Sequence, residues 1–176
     1  MSLILATALF LLMDGVASRN FVDGPSMEPL LHTNQRLLIS RVGLSGPFRS
    51  ALASGPEAAT GPIPPRGAIV TFVHPSEPSR VLVKRVIGVP GEEIEISHGQ
   101  VFVDGMPLDE PYTAIRDSRS FAPRRVPPGA VYLLGDNRAN SFDSRYFGPV
   151  PRSHLIGVVV LRYWPLTELR VLIPGL

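Results

Sequence analysis

A serine hydroxyl attacks a carbonyl only when a base takes its proton, and a lysine serves as that base only when its amine is neutral. The sequence offers one residue for each role. Ser26 stands in Gly24-Pro25-Ser26-Met27-Glu28-Pro29, where prolines on either side fix φ and exclude helix, so its hydroxyl belongs to a tight turn or an irregular stretch. Lys84 stands in Val81-Leu82-Val83-Lys84-Arg85-Val86-Ile87-Gly88-Val89-Pro90-Gly91. Strand alternation puts Lys84 on one face with Leu82 and Val86, and Arg85 on the other with Val83 and Ile87. Burial on an apolar face disfavours the ammonium form; lowering its pKa from about 10.4 to about 8 takes roughly 3 kcal/mol of differential solvation. The third stretch is a dense polar turn, Gly135-Asp136-Asn137-Arg138-Ala139-Asn140-Ser141-Phe142-Asp143-Ser144-Arg145-Tyr146-Phe147-Gly148, directly after an apolar run. Taken singly, each stretch has an inert counterpart: a serine bonded to its own turn, a lysine on a solvent-facing edge strand, and a turn braced by Asp/Arg pairs.

Other chemistries fit less well. The chain has no cysteine, which excludes disulfides, thiolate catalysis and cysteine-ligated metals. A calcium loop beginning at Asp136 needs glycine at its sixth position and glutamate at its twelfth, and those are Ser141 and Phe147. Gly88 to Gly91 lacks the Gly-Lys-Ser/Thr of a phosphate cradle, and His32, His74, His98 and His154 show no metal-ligand spacing. A Ser-His-Asp triad stays open on sequence, although no histidine has a motif around it. Net charge is +2, with the basic residues scattered, so no nucleic-acid partner is expected.

These residues need a scaffold, and 176 residues suffice for one domain plus a short extra segment. The 19 prolines and 16 glycines favour many turns and short strands. Strands are expected at 36–42, 68–73, 80–89, 130–134 and 156–163, with a hairpin of 93–97 and 100–105 turning at His98-Gly99. Residues 43–67, rich in Gly, Pro, Ser and Ala, read as a long mobile surface loop. No stretch after residue 20 has sustained helical periodicity. The expected fold is therefore all-β, with antiparallel folded sheets or a barrel over 19–176.

Residues 1–18 are expected to form a short apolar helical segment associated with the membrane. From Leu3 to Met13 only Thr7 is polar. As a helix this run reaches roughly 16 Å, against a bilayer core of about 30 Å. A cleavable leader normally carries Lys or Arg before its apolar part, but the first basic residue here is Arg19. A short anchor or membrane-dipping segment is preferred over a leader or a buried helix. Arg19 by itself would place the β domain in the cytoplasm.

In this order, the three polar stretches resemble the boxes of the type I signal peptidase family: Ser-Met-x-Pro, Lys-Arg-x-x-Gly-x-Pro-Gly, and Gly-Asp-Asn-x-x-x-Ser-x-Asp-Ser-Arg. The similarity spans roughly residues 20 to 163 and is closest to compact members without a large inserted domain. It implies Ser26 as nucleophile, Lys84 as general base and Ser141 as the hydroxyl orienting the lysine amine. It further implies Asp143 and Arg145 as a supporting ion pair, Arg85 and Asp136 as charged braces, and Met27, Leu31, Leu82 and Val83 as the lining of shallow pockets for small residues. Two positions depart from the family pattern. Gly24 replaces the side-chain hydroxyl that some members aim at the oxyanion, and Leu30 replaces the usual threonine.

The implied activity is removal of leader peptides from exported preproteins after Ala-x-Ala sites, through an acyl-enzyme and without metal or cofactor. The implied partners are preprotein signal peptides and membrane lipid, acting on a monomer anchored in the cell membrane with its catalytic domain on the extracytoplasmic side. The alternatives are another Ser/Lys processing peptidase of the inner-membrane type, or a non-catalytic membrane-associated β module that binds extended peptides. A self-cleaving repressor would need a DNA-binding module before Ser26, where 25 residues stand, so that reading is not expected.

Overall fold

The computed structural model describes residues 17–41, 62–114 and 117–172. The Leu3–Met13 run and most of the expected 43–67 loop lie outside the described residues; Pro62 to Ala68, at the end of that loop, is described and leads into the sheet. Among the described residues no helix is long and apolar enough to cross a membrane.

Among the described residues twelve strands form two antiparallel sheets. In chain order they are β1 Ala17–Phe21, β2 Arg36–Ser40, β3 Ile69–His74, β4 Glu77–Gly88, β5 Glu93–Ser97, β6 Gln100–Val103, β7 Met106–Pro107, β8 Phe121–Arg125, β9 Ala130–Leu134, β10 Val150–Pro151, β11 Leu155–Trp164 and β12 Arg170–Val171. The larger sheet runs β1-β2-β11-β3-β4-β9-β10, with β12 added to β11, and the smaller runs β7-β6-β5-β8. Among the described residues the one α-helical turn, α1, is Ser144–Phe147.

The all-β expectation holds, and the expected strands appear with ends shifted by a few residues. β4 is longer than expected, beginning at Glu77. Five strands were not expected: β1, β8 and the two-residue β7, β10 and β12. β1 begins at Ala17, which moves the start of the β domain inside the 1–18 segment; Ala-Ser-Arg-Asn-Phe has no alternation, and the strand is specified by backbone pairing along β2, from Ala17 opposite Ser40 to Phe21 opposite Arg36. β8 contains Pro123, which cannot donate to a ladder, and it is tolerated because β8 is an edge strand.

Period-2 alternation sorts the apolar side chains into separate cores. β9 is buried throughout: Val131 and Leu133 join Phe72, Val70 and Val86 on one side, while Ala130, Tyr132 and Leu134 join Ile87 and the small sheet's Ile94, Ile96, Val101 and Val103 on the other. Gly88 lets the two sheets approach, since a Cβ there would lie 2.7 Å from the Ile94 side chain. A third cluster gathers Met27, Leu31, Leu37, Ile39, Ile69 and Val159, with Val83 at its margin. Met27 and Leu31, directly after the Ser26 turn, are 1% and 0% exposed, which pins the nucleophile segment to the sheet. Burying each such side chain is worth about 1.5–3 kcal/mol.

β4 passes from exposed to buried along its length. β3 pairs with it from Glu77 to Arg85, but β9 pairs only from Arg85 onward. Residues Val81 to Lys84 therefore present one backbone edge that no strand among the described residues occupies.

Candidate active site

That open edge forms one wall of a groove of about 230 Å³. Asn20 to Asp23 form the facing wall, and Ser26, Met27 and Lys84 lie in it. Residues far apart in sequence meet here because the Ser26 turn hangs from β1 and β2, whereas Lys84 sits at the middle of β4.

Ser26 and Lys84 are in direct contact: Nζ lies 2.7 Å from Ser26 Oγ. The amine also donates to its neighbour's carbonyl, Val83 O, at 2.9 Å. Lys84 is 2% exposed, and burial pushes its amine down to about 8; Asp143 and Asp136 oppose that shift while Arg80 and Arg145 add to it. Ser26 itself is half-buried, at the open groove.

The third stretch holds the nucleophile turn from below. Asn137 donates its backbone N–H to Ser26 O at 3.1 Å and its side-chain amide to Pro25 O at 3.2 Å, while its Oδ1 accepts the Asn140 N–H at 3.1 Å. Gly135 is required where this turn crosses the serine, because a methyl group there would overlap the Ser141 hydroxyl and the Ser26 carbonyl.

Asp143 and Arg145 form a buried pair, Nε to Oδ1 at 2.8 Å and a second guanidinium nitrogen to Oδ2 at 2.9 Å. Asp143 also accepts the Gly135 N–H at 3.0 Å and caps α1, and Arg145 donates to Ser141 O at 3.1 Å and to Arg138 O at 2.8 Å. Arg85 and Asp136 form a second bidentate pair, at 2.8 and 2.6 Å, with Arg85 also bonded to Gly67 O and stacked 4.0 Å from the Tyr112 ring. Burial raises the Asp136 carboxyl above its ordinary range, against the pull of Arg85 and Arg138. Each pair satisfies donors that would be costly to bury alone.

Ser141 is placed differently from its expected role. Its hydroxyl is buried and makes no hydrogen bond, and the Lys84 amine bonds to Ser26 and Val83 O. Of the expected pocket lining, Met27, Leu82 and Val83 line the groove and Leu31 is fully buried; Met27, Leu31 and Val83 share one cluster, whereas Leu82 packs against the Phe72 cluster on the opposite face of β4. Sequence reading did not single out Asn137, nor the buried Arg138–Glu110 pair, at 2.9 and 2.5 Å, that ties the third stretch to the loop before β8. Asn137 stood inside a recognised box, but nothing local marks which asparagine reaches a distant carbonyl. Glu110 carried no signal, because its partner lies across a loop. Among the described residues no group of three His, Cys, Asp or Glu could hold a metal.

The chain matches the family model described as "Signal peptidase, peptidase S26" over residues 1–164. It is 36% identical to signal peptidase I of Leptolyngbya laminosa over 90% of this chain and 74% of that one. It is 37% identical to probable signal peptidase I-2 of Synechocystis sp., over 89% and 67%, and 33% identical to signal peptidase I of Bacillus caldolyticus, over 87% and 82%. With a match across nearly its whole length, the chain belongs to the S26 signal peptidase family of serine endopeptidases, which remove signal peptides from secreted proteins.

Proposed function

We propose that this protein cleaves preproteins after Ala-x-Ala sites with Ser26 as nucleophile and Lys84 as general base. The observation that carries this reading is the 2.7 Å contact between Ser26 Oγ and the Nζ of a lysine that is almost wholly buried. A neutral Lys84 amine takes the Ser26 proton as Oγ attacks the scissile carbonyl. The resulting ammonium returns the proton to the departing amine, which leaves an acyl-enzyme. Lys84 then takes a proton from water, the hydroxide adds to the ester, and Ser26 leaves with the proton restored.

Among the described residues the Ser26 N–H has no hydrogen-bond acceptor, which leaves it available to the oxyanion, and the Gly24 pattern supplies no hydroxyl beside it. The substrate adds as a strand on the free edge of Val81 to Lys84, with small side chains toward Met27, Leu31 and Val83. The reading takes the segment before β1 as the anchor of a monomer, in contact with lipid, whose β domain faces the extracytoplasmic side; the apolar Leu3–Met13 run and the secretory role of the family support this. No cofactor enters any step.

The test is cleavage of a preprotein bearing an Ala-x-Ala site, in detergent, by wild type, Ser26→Ala and Lys84→Ala. Cleavage after the final alanine by wild type alone is the expected result. Variants that cut as fast as wild type would remove the dyad assignment.

A further inference from the structure

We propose that Phe142 and Arg80 form a subsite that reads the middle residue of the Ala-x-Ala site and favours a long acidic side chain there over a basic one. This inference rests on the proteolytic reading above and adds a specificity to it.

The two faces of β4 differ. On one, Val83 packs toward Met27 and Leu31, which are fully buried and leave only shallow room. On the other, Leu82 and Phe147 both pack against the cluster that contains Phe72, and Phe147 meets Phe142 with ring centroids 5.5 Å apart. A strand added to the free edge of Val81 to Lys84 must alternate its side chains between the same two faces. When the residues at the cut and two before it point toward Met27, the residue between them points toward Phe142.

Phe142 is built to receive it. Three rings hold it: His74 stacks on it at 5.7 Å, Tyr146 stacks at 5.3 Å, and Phe147 meets it edge-on. It is nonetheless 42% exposed, a large apolar side chain left open to solvent. It follows Ser141 directly, and the Ser141 hydroxyl and the Ser26 carbonyl both border the gap at Gly135. The Arg80 guanidinium lies 5.8 Å over the Phe142 ring and keeps 47% of its side-chain surface in solvent. Its nearest carboxylate, Glu77, is 3.8 Å away and 54% exposed, a loose partner that an incoming carboxylate can displace. The ring supports a long aliphatic stem, and the guanidinium meets its end.

The experiment compares peptides identical except for Glu, Gln, Lys or Gly at the middle position, read as kcat/KM at one pH and low salt. Wild type is expected to prefer Glu to Lys by about fivefold, the scale of an exposed ion pair, and to lose the preference as salt rises. Arg80→Glu should invert the order of Glu and Lys. Phe142→Ala should bring Glu and Gln down toward Gly. Because the Arg80 charge also bears on Lys84, only ratios between peptides are compared, where an effect on the base cancels. Ratios unchanged in both variants overturn the subsite. Failure of wild type to cut any of the peptides overturns the proteolytic reading instead, and the subsite with it.

Discussion

At the scale of single residues, the site turns on a lysine kept in an environment hostile to its charge. Burial lowers the Lys84 amine to about 8, so cleavage should rise with pH through that value and fall off below it. Initial rates across pH 6–10 check this; a profile that is flat down to pH 6 would contradict it. The same shift costs stability. Because the folded pKa is depressed, the penalty is fully present below about 8 and disappears as pH rises toward the unfolded value of 10.5. Lys84→Met should thus abolish cleavage while raising stability by about 3 kcal/mol near pH 7, less the worth of the lost hydrogen bonds, and the gain should shrink toward pH 10. Denaturant unfolding at the two pH values measures it. Asn137 acts through the serine it holds. Asn137→Asp retains the shape and the Asn140 cap but turns a carboxylate toward Pro25 O, so kcat should drop at least tenfold with KM little changed. Asn137→Ser, which keeps a hydroxyl in place of the amide, should keep more of the activity than Asn137→Ala if positioning is the role.

At the scale of elements, the site forms where two turns cross. Gly135 marks the crossing, and Gly135→Ala should push the nucleophile turn away from the third stretch. A displacement of about 1 Å at the reacting atoms costs on the order of 10²-fold in rate. The expected outcome is such a loss of kcat in a protein whose circular dichroism is unchanged; full activity would mean the turns have more slack than their packing indicates. This scale also decides what the sequence could reveal. Apolar runs exposed β4 and β9, and alternation with the His98-Gly99 turn exposed the β5–β6 hairpin, because each lies against a core that needs apolar residues. They could not expose β1, whose Ala-Ser-Arg-Asn-Phe does not alternate, or β8, an edge strand that contains Pro123. Ser26 and Lys84 were legible from their boxes, and so were the Asp143–Arg145 and Arg85–Asp136 pairs. The unbonded Ser141, the crossing at Gly135 and the opposite facing of Leu82 and Val83 were not, since each depends on which carbonyl or ring lies across a gap in three dimensions.

At the scale of the whole molecule, the small sheet braces the large one but supplies nothing to the groove. Its Ile94 and Ile96 pack on Ile87, Tyr132 and Leu134, and Gly88 is the point of closest approach, with room for no side chain beside Ile94. Gly88→Ala should force the sheets apart at that point and destabilise the fold by about 1–3 kcal/mol, the usual cost of overpacking a core. Yet Gly88 sits at the far end of β4 from the free edge, beyond the Arg85–Asp136 pair. If the pair isolates the groove from the joint between the sheets, the variant's urea midpoint should fall while its kcat and KM at low temperature stay within about twofold of wild type, as expected for independent sites. A parallel loss of kcat would show instead that the register of β4, set at Gly88, is felt at Lys84, and that the small sheet tunes the base it does not touch.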